Sequence, residues 1–512
     1  MIPALGDNGR FGVVVAVAIG LAGSAAAEPV ASPQAPAFSP AFSMTIDGLP
    51  ARRVAVDTPR TEPTAFAGPV SKTIYLERCR GGCVVHMGMN DARTNTSTIP
   101  MVQDATITEF TSSTGGTGTA ADNEWRRLVT CMQEVYSPYN VVVTDVKPTT
   151  GTYHEAIIAG DPRDIGLGRD ILGVAPLASD CSALDNVMSF SFANRHPKIP
   201  GDINGNILNV CWTAAQESAH AFGLDHEYSF VAGNRSACSD PMTYRNDCGG
   251  EKFFRNEPAS CGETTTRPCK CGTSQNSHAK LVTVFGAGTP ITGKPTAVLV
   301  SPTTGGALGT TVSVDAGAKR GVARVELYFN GFKWAEQPGA AFELAGQPDP
   351  SSYAIRVPAD LPDSVVDVKA IAYDDLGAST ESGLATVTKG TPCATAATCV
   401  KGQKCEAGKC FWDPANGEIG DDCSYAQFCK SGLCSGTKDQ QICTQPCIPG
   451  DASSCPADFA CLMSSPSAGV CFFASTGGGC CSVGEGDALW WGHLGLGAAA
   501  FGFVVRRRRR RR

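Results

Sequence analysis

Between residues 123 and 136 the apolar side chains Trp125, Leu128, Val129, Met132, Val135 and Tyr136 recur every three or four positions, which predicts one amphipathic helix. Shorter β-branched or aromatic runs, bounded by Gly, Pro or Asp, predict strands at 73–76, 141–146, 155–158, 171–175 and 187–192. A second helix is expected to carry Trp212 and Phe222. Strands that lead into a helix in this order predict a mixed α+β layer structure. From 294 to 389 the texture changes to short strands alone, at 297–300, 311–314, 323–329, 353–357 and 365–373, with turn signals at Asn330-Gly331 and at 374–377. About seven short strands in such a span predict a β-sandwich.

At 512 residues the chain exceeds one hydrophobic core, so it is expected to be multidomain. Its 24 cysteines fall in two groups, ten from Cys79 to Cys271 and fourteen from Cys393 to Cys481, with none between. That number of thiols points to an oxidising compartment. Residues 1–27 fit a signal peptide: Arg10 precedes an apolar run at 11–21, and Ala25-Ala26-Ala27 offers a small-residue cleavage site. Residues 28–72 are rich in Pro and Ala with little periodicity, and read as a linker or pro-segment without chemistry of its own.

Residues 393–472 hold twelve cysteines among Gly, Ser and Asp, with few large apolar residues, so disulfides must staple this module. The spacings from Cys405 to Cys410, Cys429 to Cys434 and Cys443 to Cys447 are longer than the close pairs of a zinc ribbon. The last segment, 477–512, contains a hydrophobic run at 488–505 whose only strongly polar member is His493, followed by seven arginines at 506–512. Such a run just reaches across a bilayer, and the arginines would hold its end on the cytoplasmic side. The formal net charge of −7 includes those seven arginines, so the rest of the chain is more acidic still, and no nucleic acid is expected as a partner.

The stretch that carries chemistry is Gln216-Glu217-Ser218-Ala219-His220-Ala221-Phe222-Gly223-Leu224-Asp225-His226. On a helix, positions 216 and 220 share a face one turn apart and Glu217 sits beside them. Gly223 lets the helix end in a conformation other residues resist, so that His226 can return to the same point. Sixteen residues after His226 stands Met242, in Ser239-Asp240-Pro241-Met242-Thr243-Tyr244.

This resembles the metzincin zinc metalloendopeptidases, whose signature is His-Glu-x-x-His-x-x-Gly-x-x-His followed by a methionine turn. The resemblance implies a metzincin-like domain at 73–287 that binds Zn2+, with His220 and His226 as ligands, Glu217 as general base, Met242 as the floor of the site and Tyr244 assisting the oxyanion. Met-x-Tyr is the astacin and serralysin form of the turn, whereas Gly223-Leu224-Asp225-His226 is closer to the matrixins, so the branch stays open. The departure is Gln216, which stands where the family has its first histidine; an amide oxygen is a poorer zinc donor than imidazole. Three outcomes follow: Gln216 ligates weakly, Tyr244 or His154 fills the gap, or the site holds no metal and the fold persists as a binding module.

Two further resemblances complete the organisation. Residues 325–331 and 372–377 resemble bacterial immunoglobulin-like surface modules, which places that fold at 294–389. The order Gly-Gly-Gly-Cys-Cys, apolar run and arginine cluster resembles the MYXO-CTERM sorting tail of myxobacterial surface proteins; a plain single membrane span is the alternative. Together these imply an exported protein at the cell surface, outer-membrane-associated or secreted after tail processing, that acts as a zinc-dependent endopeptidase on extracellular proteins or peptides. The alternative is a catalytically inactive surface binding or adhesion protein. Elsewhere, Cys79 and Cys83 are expected to close a small disulfide loop, Cys211 to tether the motif helix, and His86, His196 and His278 to have surface or structural roles.

Overall fold

The structure is a computed structural model that describes residues 44–58, 70–228, 239–244, 251–339, 352–465 and 468–474. The expected signal peptide, Cys238, Cys248 and the tail at 477–512 lie outside the described residues. Among those described, the chain is mostly β-sheet with few helices and many disulfides, and no helix is long and apolar enough to cross a membrane.

The first domain is built on a six-stranded sheet. Its strands in chain order are β3 (Arg52–Thr58), β4 (Thr73–Glu77), β8 (Val142–Thr144), β9 (His154–Ile158), β10 (Ile171–Ala178) and β11 (Met188–Ser191), arranged β3-β10-β11-β9-β4-β8. A hairpin of β1 (Thr45–Ile46) and β2 (Leu49–Pro50) precedes them, and β5 (Cys83–Met87), β6 (Thr96–Ser97) and β7 (Asp104–Ile107) form a small separate sheet. All neighbours in the large sheet are parallel except β10 with β11. Strands β9, β10 and β11 are buried throughout, and β10, Ile-Leu-Gly-Val-Ala-Pro-Leu-Ala, accordingly reads as an unbroken apolar run rather than as alternation.

Helix α1 (Thr119–Tyr136) turns Trp125, Leu128, Met132, Val135 and Tyr136 inward, on the period that predicted it. Helix α2 (Ile203–Ala221) crosses it, and the disulfide from Cys131 to Cys211 joins the two. Cys79 and Cys83 close a loop of their own. Helix α3 (Ser277–Phe285) packs Leu281 and Phe285 into the same core.

Within 28–72, expected to be a linker or pro-segment, part of the chain belongs to the large sheet. Residues 44–58 are folded, and β3 joins β10 in continuous parallel register from Val54↔Val174 to Thr58↔Ala178. Strand β10 runs on past the expected end at 175 because Pro176 pairs there with β3 alone; its ladder to β11 is confined to Gly173 and Val174.

Residues 296–389 form two packed antiparallel sheets. One has the order β12 (Thr296–Ser301), β13 (Thr311–Gly317), β16 (Ser352–Arg356); the other contains β14 (Arg324–Phe329), β15 (Phe332–Pro338), β17 (Ser364–Tyr373), β18 (Ser379–Glu381) and β19 (Ala385–Lys389). Asn330 and Gly331, with φ of 50° and 87°, make the tight β14–β15 turn that their sequence announces. All twelve cysteines from Cys393 to Cys471 pair in six disulfides, so their sulfurs, although close together, are not free thiolates. Trp412 of this module stacks on Trp334 of the sandwich at 5.7 Å.

A buried clasp binds the sandwich to the first domain. Arg320 gives Nε and Nη2 to the two Asp375 oxygens, both at 2.8 Å, and Nη2 also reaches the Phe254 carbonyl at 3.1 Å. Arg255 approaches the same carboxylate at 3.3 Å and donates Nη1 to the Arg320 carbonyl. Removing the one acid would leave two buried guanidinium groups without it, a loss of about 3–5 kcal/mol. Asp375→Ala is therefore expected to lower the calorimetric unfolding temperature of the chain; an unchanged transition would show that the clasp contributes nothing.

Candidate metal centre

Helix α2 is buried on every side from Val210 to Ala221, and its small residues Ala214, Ala215 and Ala219 let it lie close under the sheet. Gln216, Glu217 and His220 therefore sit in the interior rather than on a wet face. The helix closes with Phe222 and Gly223 N–H groups bonded to the Ala219 and His220 carbonyls. Gly223 has φ +89°, and a Cβ there would lie 2.1 Å from the Cys181 carbonyl oxygen, so only glycine makes this turn. The turn brings His226 back onto His220.

The protonation of that pair follows from its partners. His220 Nδ1 lies 2.7 Å from the Leu224 carbonyl oxygen and His226 Nδ1 2.9 Å from Glu263 Oε1. A carbonyl and a carboxylate only accept, so both Nδ1 atoms carry a proton. The two Nε2 atoms face each other at 2.9 Å. Burial, with His226 beside it, lowers the His220 pKa to about 3, which keeps that ring neutral near pH 7. The His220 Nε2 lone pair is therefore met either by a proton on His226 Nε2 or by a cation shared between the two nitrogens. A tetrahedral ion at about 2.0–2.1 Å from each nitrogen sets them about 3.3 Å apart, a small outward shift of the rings.

The groups around the pair are also those of a site rather than of a finished core. Among the described residues neither Glu217 oxygen has a hydrogen-bond partner and Gln216 Nε2 has no acceptor, although both side chains are fully buried. Burial raises the Glu217 pKa well above the carboxylate range, with Arg53 opposing it. Gly173 of β10 packs on its carboxylate, where a Cβ would meet Oε1 at 2.4 Å. Met242 is buried in the same core, in a turn fixed by Asp240, which accepts from the Met242 N–H at 2.8 Å, the Arg255 N–H at 2.7 Å and the Ser277 hydroxyl at 2.8 Å. The Met242 carbonyl accepts from Glu227 N–H at 3.0 Å, which ties the turn to the residue after His226. The Tyr244 ring stands 4.9 Å from that of His226.

Six residues singled out in the sequence, Gln216, Glu217, His220, His226, Met242 and Tyr244, thus come together. His154 does not join them: on β9 its Nε2 is spent on the Ser189 hydroxyl at 2.9 Å, with its ring against Phe222. Gln216 is turned to another partner, its Oε1 accepting from Arg53 Nη1 at 3.1 Å. The same Arg53 nitrogen reaches the Thr243 carbonyl at 2.9 Å, and the Arg53 backbone N–H and carbonyl are both bonded to the Tyr244 hydroxyl.

Sequence reasoning missed Arg53, Gly173 and Glu263. A lone glycine inside a strand run was a legible sign of close backbone approach at Gly173. Glu263 comes from a cysteine-rich loop without periodicity; it is held by Arg267 at 2.7 Å, and Arg267 also forks onto Asp225 at 2.6 and 2.8 Å. The hydrogen bond from His226, with Arg267 beside it, lowers the Glu263 pKa to about 2.

No family model matches the chain, and no curated protein matches it. Among solved structures, the fibronectin(III)-like modules of Clostridium thermocellum CbhA are similar over 19% of this chain and 96% of that chain, at 20% identity and a TM-score of 0.14.

A carboxylate that fixes a ligating imidazole contributes about 10- to 100-fold to metal affinity. Glu263→Ala is expected to weaken zinc binding by that factor in chelator competition while leaving the disulfides intact, and equal affinity in both proteins would remove Glu263 from the site.

Proposed function

We propose that the first domain is a zinc endopeptidase of the metzincin type, carried on an exported, disulfide-stapled chain held at the cell surface, with extracellular proteins or peptides as substrates. The observation that carries this reading is the pair of facing Nε2 atoms of His220 and His226, buried beside a carboxylate that has no hydrogen-bond partner among the described residues. His220, His226 and Gln216 would hold the ion, the first two through Nε2 and the third through Oε1. When bound there, Zn2+ would supply a water whose pKa is lowered towards ~7 and a Lewis acid for the scissile carbonyl.

The chain's own residues do the rest. Glu217, with its proton affinity raised by burial, takes a proton at its carboxylate and later returns it to the leaving amine. Tyr244 offers a hydroxyl beside the same histidine, once that hydroxyl is released from the Arg53 backbone. Ten disulfides among the described residues support an oxidising, extracytoplasmic location.

A second reading, a non-catalytic surface binding module, is favoured by one contact: Gln216, the altered ligand, spends its oxygen on Arg53. Hydrolysis of an unfolded protein substrate by the zinc-loaded chain separates the two. The peptidase reading predicts chelator-sensitive cleavage that falls at least 10²-fold when Glu217→Gln is added, with zinc retained. Absence of cleavage by the zinc-loaded, folded protein would favour the binding module.

A further inference from the structure

The small sheet of β5, β6 and β7 carries a cluster of side chains that neither the core nor the candidate metal centre uses. Of the chain's nine methionines, Met132, Met188 and Met242 are fully buried, whereas Met87, Met89 and Met101 are 43%, 85% and 69% exposed and crowd into one stretch from 87 to 101. Methionine ordinarily fills irregular gaps in a core with its flexible thioether. In the open it has no gap to fill and invites oxidation to the sulfoxide.

Strand register gathers the three at one end of the sheet. β5 and β7 pair antiparallel through Val84↔Thr106, Val85↔Ala105 and His86↔Asp104. The Met87 N–H carries that ladder one step further, to the Gln103 carbonyl at 2.8 Å. Counting on in the same register sets Met89 opposite Met101, with Met87 as the diagonal neighbour of Met101, a spacing that long side chains span. The backbone bends here, yet it is pinned on both sides. The Gly88 N–H bonds to the Ser97 carbonyl at 2.9 Å, Asn90 Oδ1 accepts from the Thr98 N–H at 3.0 Å, and the Met101 N–H bonds to the Ile165 carbonyl at 2.9 Å. Gly166 packs against the base of Met101, where an added Cβ would come within 3.1 Å of the Met101 Cβ. The main chain is therefore fixed while the three thioethers project from it.

The company of these sulfurs decides what they can bind. In the rung before Met87, His86 Nδ1 and Asp104 Oδ1 are held together at 2.7 Å, and the alternation of the strand puts that pair on the opposite face. The methionines thus offer neutral sulfur. Mg2+ and Ca2+ take oxygen, and Zn2+ takes imidazole, thiolate or carboxylate, whereas thioether sulfur selects the soft monovalent ion Cu(I). Three rotatable bonds let each side chain reach a shared ion without moving the backbone.

We propose that Met87, Met89 and Met101 form a thioether site for Cu(I). It lies on elements that carry none of Gln216, Glu217, His220 and His226, and it stands whether or not the first domain hydrolyses peptides.

The test is Cu(I) uptake by the full chain under nitrogen, read by competition with a chromophoric chelator. Zinc is bound beforehand and free thiols are alkylated, so that those groups do not compete. About one Cu(I) per chain is expected. Met87→Leu, Met89→Leu and Met101→Leu conserve side-chain volume and should each weaken uptake at least ~10-fold. Met463→Leu, at an exposed methionine of the cysteine-rich module, should leave it unchanged. A wild-type chain that takes up no Cu(I), or a variant with all three changes that binds within about 2-fold of wild type, overturns the proposal. A second measurement needs no variant. Ag(I), a soft ion of the same charge, should slow peroxide oxidation of Met87, Met89 and Met101 but not of Met463, followed by mass spectrometry of the peptides. Equal oxidation with and without Ag(I) overturns the proposal as well.

Discussion

His220 and His226 each give an Nδ1 proton to an oxygen that can only accept, and their Nε2 atoms face each other at 2.9 Å in the interior of the first domain. Such a contact holds only with a proton or a metal ion between the two nitrogens, and only if the surrounding structure keeps both rings in place. Much of the domain is arranged to hold it. Helix α2 is clamped to α1 by the disulfide from Cys131 to Cys211, Gly223 makes a turn no other residue can make, and Glu263 is braced by Arg267.

The support extends beyond the domain. Asp240 fixes the Met242 turn and receives the Arg255 N–H, while the Arg255 side chain reaches Asp375 of the sandwich. A hydrogen-bonded path therefore runs from the sandwich to the Met242 turn.

Much of the framework was legible because it follows from period and spacing. The inward face of α1 was visible in its apolar residues, and the helix bearing Gln216, Glu217 and His220 was visible in its motif, although its first turns were not. Asn204, Gly205, Asn206 and Asn209 form helix poorly, and the start at Ile203 is set by Asp202, whose side chain caps Gly205. The least legible element was β3. Ala-Arg-Arg-Val-Ala-Val-Asp is short, charged at both ends and set in a Pro- and Ala-rich stretch, so nothing local marks it as a strand. Its stability comes from β10, 120 residues away in register terms such as Val54↔Val174, and from a pocket for arginine that exists only once Gln216, Thr243 and Tyr244 are assembled. Glu263 was hidden for the same reason, being a partner defined by tertiary structure alone.

The measurement that bears most directly on the account is the zinc stoichiometry of the oxidised, folded chain at equilibrium with a metal buffer, compared with His220→Ala. The facing Nε2 atoms, read as ligands, predict about one tightly held zinc per chain, lost when one of the two imidazoles is removed. A folded chain that takes up no zinc, or that keeps its zinc after His220→Ala, would show that the two histidines are not a metal centre.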